Sequence, residues 1–132
     1  MSVRNRFIQD VILPLIAGSV IYWLFRGNML FHIAPLFHLT PSGSLYAFTV
    51  YSLPDGLWLY ALLGSLNLIW LPLETAGRIW LLFAVFASFG SEIAQFYHLL
   101  PGTFDIADIL AYLILSTIFF TRSITFVKKP VS

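Results

Sequence analysis

The chain has 132 residues, of which 59% are hydrophobic, 17% aromatic and 10% charged, whereas a soluble domain carries about 25% charged residues. So little polar surface cannot cover a globule in water, and lipid must solvate most of the chain. A formal net charge of +1 with no basic, aromatic-interleaved stripe gives nucleic acid nothing to bind, and the absence of cysteine excludes disulfides, thiolate metal sites and a cysteine nucleophile.

Taken in order, the chain predicts an all-α polytopic membrane domain over 1–132, with four spans at about 7–25, 54–73, 79–97 and 104–121. Arg4 and Arg6 precede the first apolar run, which continues beyond a signal-peptide core and lacks a good cleavage site, so it reads as an uncleaved helix. A core of about 30 Å needs roughly 20 helical residues, and this run has the length. Tyr22 and Trp23 near its far end suit the aromatic belt. Residues 27–52 carry no charge but are interrupted by Pro35, Pro41 and Gly43, and the apolar stretch Asn28–Leu39 is too short to cross. An interfacial or re-entrant segment is expected there, and the conformation of Leu45–Tyr51 stays open. Ser52 and Asp55 have capping-box spacing before the second span, with Pro54 in its first turn. Glu74–Arg78 reads as a polar turn. The third and fourth spans flank the loop His98-Leu99-Leu100-Pro101-Gly102, which has Pro and Gly as punctuation.

Four spans put both termini on one side. Arg4, Arg6, Arg78, Arg122, Lys128 and Lys129 then share that side while Arg26 alone lies opposite, so the termini are expected in the cytoplasm. The acids Asp55, Glu92, Asp105 and Asp108, with Gln95, fall toward the outer face. Glu92 lies fourteen residues after Arg78 and Asp108 fourteen before Arg122, placing each roughly 21 Å up its helix. The spacing predicts two rungs across a hairpin, Glu92 opposite Asp108 and Gln95 opposite Asp105, with Asp55 at the rim. Two carboxylates facing each other in a low-dielectric site cannot comfortably both ionise; they share a proton or a cation neutralises them. Arg26 is the basic side chain on that side. His32, His38 and His98 lack a metal-ligand spacing, so neither a metal nor a cofactor is expected.

The stretch Glu92-x-x-Gln95, followed by Gly102-Thr103-Phe104-Asp105-x-x-Asp108, resembles the C-terminal signature of the VanZ-like family of small bacterial membrane proteins. The match covers Glu92, Gln95 and Asp108, and Leu53-Pro54-Asp55-Gly56 stands where that family has an acid opening a helix. Tyr112 and Leu115 stand where the family commonly has Asn and Gly. The resemblance implies a four-helix envelope protein of the bacterial cytoplasmic membrane. The family's founding member is associated with resistance to the lipoglycopeptide teicoplanin.

Blander roles compete for the same residues. Asp55 and Asp105 are placed to cap helices. Glu92 is harder to explain in that way, because a helix C-terminus disfavours an anion, and an ionisable residue within a span is functional by default. Acids from three helices on one outer face predict a pocket that binds or shields a polar or cationic group. A lipid headgroup, a lipid-linked wall precursor and an amphiphilic antibiotic all fit. Two other classes use the same residues. A membrane-embedded enzyme would employ Glu92 and Asp108 as acid and base on a lipid-linked substrate, though no nucleophile motif accompanies them. A proton- or cation-coupled carrier would use the shared proton, and four short helices would then need a homo-oligomer or a larger membrane complex.

Overall fold

The computed structural model describes residues 2–26, 43–70 and 75–127, with side chains described for 2–25, 43–70 and 75–123. Four continuous helices make up nearly all of them. Helix α1 runs through Val3–Phe7, Ile8–Ile12 and Leu13–Arg26; α2 through Ser44–Ala47, Phe48–Ser52 and Leu53–Ile69; α3 spans Thr75–Phe96 and α4 Ile106–Val127. Three segments are long and apolar enough to cross a membrane, Val3–Phe25, Thr75–Phe96 and Ile106–Ser123. They bury little within the protein, leaving Phe83, Phe86, Ile93, Leu113 and Ile114 among the large apolar side chains on the outside, as lipid-solvated helices do.

The central helix is α2. It buries Pro54, Gly56, Leu59, Tyr60, Ala61, Leu63 and Gly64, and it touches each of the other three helices. Around it, Leu59, Tyr60 and Leu63 meet Leu81 and Ala84 from α3 and Phe119 from α4. The Tyr60 and Phe119 rings stand edge to face with centroids 5.5 Å apart, a favoured aromatic geometry. Helices α1 and α2 are antiparallel: Gly18 lies against Pro54 and Trp58, and Gly64 against Asp10. Helices α2 and α4 run parallel, with Gly56 against Ala111 near one end and Tyr60 against Phe119 further on. Small residues at these crossings let backbones approach where no hydrophobic driving force draws helices together.

Two π-helical turns share one cause. Pro14 and Pro54 are buried inside continuous helices, lack an N–H, and bring a ring against the carbonyl four residues back. In each case the preceding turn is widened. The Leu13 N–H donates to the Ile8 carbonyl and the Leu53 N–H to the Phe48 carbonyl, both five residues back. The helix thereby passes its proline without stopping.

That device corrects the expected second boundary. Ser52 has helical backbone angles and makes no side-chain capping bond; the helix starts instead at Ser44, after Gly43, and Leu45–Tyr51 is helical. The expected interfacial or re-entrant segment falls on residues 27–42, outside the described residues, as do 71–73 at the end of the second expected span. Helix α3 begins at Thr75, within the expected polar turn, and α4 continues past residue 121 to Val127.

The crossing at Gly64 makes a test. A Cβ there would collide with the Asp10 carbonyl, whereas one at Gly90 meets open space. Gly64→Ala should cost about 1–3 kcal/mol, and Gly90→Ala should be neutral or gain up to about 1 kcal/mol. Thermal unfolding of both variants in detergent checks this; equal midpoints would contradict the close crossing.

Candidate functional site

At the end of the bundle where α3 turns into α4, a cavity of about 460 Å³ is lined by Asp55, Glu92, Gln95, Asp105 and Asp108. All four carboxylates and the amide nominated for the outer face therefore meet, from α2, α3 and the start of α4. Arg26, the sixth nominated residue, has a side chain outside the described residues. His32 and His38 also lie outside them, and His98 is exposed in the loop. Among the described residues no lysine or arginine lines the cavity, and no three His, Cys, Asp or Glu side chains stand close enough to hold a metal ion.

The turn that closes this end is built locally. The Leu99 N–H donates to the Ala94 carbonyl at 2.8 Å and the His98 N–H to the Gln95 carbonyl at 3.0 Å, the paired bonds of a Schellman cap. His98 occupies its left-handed position at φ 56°, where glycine is usual. The chain then doubles back at Gly102, whose φ of 135° and close approach to the Gln95 side chain leave no room for a Cβ. Gln95 thus packs against the Gly102 backbone as part of the wall.

Each acid has a distinct setting. Asp105 does cap α4: its Oδ1 accepts from the Ala107 N–H at 2.8 Å, and its carbonyl accepts from the Asp108 N–H at 3.2 Å. It caps and lines the cavity at once. Asp55 does not cap, because α2 runs through it from Ser44 and leaves no open helix end. Asp108 is half-buried in the first turn of α4, where the helix dipole favours an anion. Glu92 sits near the C-terminus of α3, where the dipole opposes it. It is 3% exposed, and its Oε2 is buried and accepts no hydrogen bond within the described residues.

The remaining walls include Tyr51, Ser91, Thr103 and Tyr112, none of them nominated from sequence. Helical spacing held the signal. Tyr51 is four residues before Asp55, Ser91 four before Gln95 and Tyr112 four after Asp108, so each pair shares a helix face. The Ser91 hydroxyl donates to the Ser88 carbonyl at 2.7 Å, which occupies its proton and leaves it unlike an activated nucleophile.

A second polar cluster lies toward the other end of the bundle. Tyr60 donates to Asp10 Oδ1 at 3.2 Å, Arg122 Nη1 donates to the Tyr60 hydroxyl at 2.8 Å, and Arg122 Nη2 lies 3.4 Å from Asp10 Oδ1. The charges are matched here, and α1, α2 and α4 are tied together. Asp108 and Arg122 are fourteen residues apart on one helix, so the two clusters are separated by roughly 21 Å.

The two roles of Asp105 are separable. Asp105→Asn keeps a capping oxygen and should hold the thermal midpoint, whereas Asp105→Ala should lose about 1 kcal/mol. Equal destabilisation by both substitutions in a detergent unfolding assay would contradict the capping role.

Comparison with protein-family models, with curated proteins and with solved structures gives no match to this chain, and so none that identifies a VanZ-like protein.

Proposed function

We propose that the chain is a four-span protein of the bacterial cytoplasmic membrane whose acidic cavity opens outward and binds or shields a cationic or polar group at the membrane surface. In this reading α2 is the fourth span and both termini are cytoplasmic. Ligands of the right kind are a lipid headgroup, a lipid-linked wall precursor or an amphiphilic antibiotic. The resemblance of Glu92, Gln95 and Asp108 to the VanZ-like signature favours the same envelope setting.

The observation that carries this reading is Glu92. A carboxylate buried at the dipole-opposed end of a helix, lining one cavity with acids from two other elements, is poorly explained by capping or packing. Four carboxylates around one cavity make it a favourable place for a cationic group. The orientation is supported by Arg4, Arg6, Arg78 and Arg122, which all fall toward the end opposite the cavity. An enzymatic role finds less support, since the one serine in the wall is engaged with a backbone carbonyl.

Two measurements test the proposal. Because the chain has no cysteine, Leu99→Cys and Ser2→Cys report topology cleanly. Leu99→Cys should react with a membrane-impermeant maleimide in intact cells and Ser2→Cys only after permeabilisation; the reverse pattern would refute the orientation. In native mass spectrometry, wild type should retain lipids with a cationic headgroup amine over phosphatidylglycerol. The double variant Glu92→Gln/Asp108→Asn should lose that preference, and an unchanged preference would refute the binding role.

A further inference from the structure

We infer that the Arg122 side chain, where it spans from α4 to α1, holds the phosphate of a membrane phospholipid at the basic end of the bundle. This site is separate from the acidic cavity and does not rest on the reading given to it.

Arg122 stands in the last turn of the apolar segment Ile106–Ser123, and Arg4 and Arg6 in the first turn of Val3–Phe25. Segments of that length bring their ends to the depth of the lipid headgroups. Among the described residues, Arg4, Arg6, Arg78 and Arg122 gather at this end with Asp10 as the acid, and Arg4 and Arg78 are exposed. The surplus is positive, and phosphate is the anion that a bilayer presents at this depth.

The guanidinium turns that diffuse field into a site. Among the described residues α1 packs on α2 alone, so α1 and α4 flank α2 without packing on each other, and Arg122 reaches across. Its Nη1 donates to the Tyr60 hydroxyl at 2.8 Å, and its Nη2 lies 3.5 Å from Gln9 Oε1 and 3.4 Å from Asp10 Oδ1. These three contacts fix the plane of a group that carries five N–H donors, so donors remain for a further acceptor. The Arg122 side chain is 41% exposed and the acceptor can reach it. A phosphodiester brings one negative charge and two unesterified oxygens, the pattern that a guanidinium fork receives in bidentate fashion. Arg6 lies three residues before Gln9 and four before Asp10, on the same face of α1, and adds charge on the headgroup side.

The acyl chains decide for a lipid over a free phosphate. Ile118 and Ile114 lie four and eight residues before Arg122 and are both exposed. They form an apolar track on α4 that runs from the guanidinium toward the middle of the span.

The test uses the full chain in detergent and native mass spectrometry. The probes are phosphatidylglycerol, whose headgroup has no amine, and diacylglycerol with the same chains. Phosphatidylglycerol should be retained at least about tenfold over diacylglycerol, and Arg122→Gln should lower its retention roughly tenfold, the scale of a lost charge-assisted hydrogen bond. Arg4→Gln removes the same charge from the same end but away from the bridge, and should lower retention by less than about threefold. Equal losses in the two variants would reduce the effect to surface charge and overturn the site, as would undiminished retention in Arg122→Gln. Inorganic phosphate raising the thermal midpoint as much as the lipid, at matched ionic strength, would overturn the lipid assignment. Because Arg122 also ties three helices together, Gln9→Glu supplies a second variant. Gln9 is exposed, and a carboxylate there competes with the phosphate for the guanidinium, so retention should fall; unchanged retention would overturn the proposal.

Discussion

A carboxylate on an otherwise apolar helix cannot face hydrocarbon, and the arrangement of this bundle follows from that prohibition. Five of the six acids lie in described residues, and each is turned toward protein or into the cavity rather than outward along the lipid-facing stripes of Phe83, Phe86 and Leu113. The solution differs at the two ends. At the end that carries Arg4, Arg6 and Arg122, Asp10 is matched by Arg122 and bridged by Tyr60. At the hairpin end, Asp55, Glu92, Asp105 and Asp108 line one cavity. One end pairs its acid with an arginine and holds three helices together. The other gathers acids from separate helices around one cavity.

Helix α2 makes both ends possible. It carries Asp55 near the cavity and Tyr60 in the charge-matched cluster, with Gly56 and Gly64 allowing α4 and α1 to approach. Its π turn brings Tyr51 into the cavity wall just ahead of Pro54. The π turn of α1 does the same at the other end, where Asp10 lies within Ile8–Ile12 ahead of Pro14. Widened turns relieve the prolines and at the same time re-aim side chains. In this bundle each of the two turns contributes a member of a polar cluster.

Much of this was legible in the residues. Apolar run lengths gave the helices, and the equal offsets of Glu92 and Asp108 from basic markers placed them at one height. The i, i+3 pairs gave a common face, and the structure gathers those residues in one cavity. The boundaries failed for a physical reason. Pro54 after Ser52 looks like a helix start, and only tertiary packing lets a π turn carry the helix through it. Asp10 and Arg122 were equally hard to connect, because 112 positions separate them and their pairing depends on the α1–α2 crossing at Gly64. The close approach of Gly102 to the Gln95 side chain was not legible, since it depends on the left-handed turns at His98 and Gly102.

The central claim is that acids from separate helices meet in one chamber rather than dispersing to different neighbours. Cross-linking tests it directly in this cysteine-free chain. Glu92→Cys paired with Asp108→Cys should be bridged in high yield by a short bifunctional thiol reagent, while Phe86→Cys paired with Asp108→Cys, with Phe86 on the lipid side, should not. Failure of the first pair under conditions where each single cysteine is reactive, or equal bridging of both pairs, would contradict the shared cavity and the function built on it.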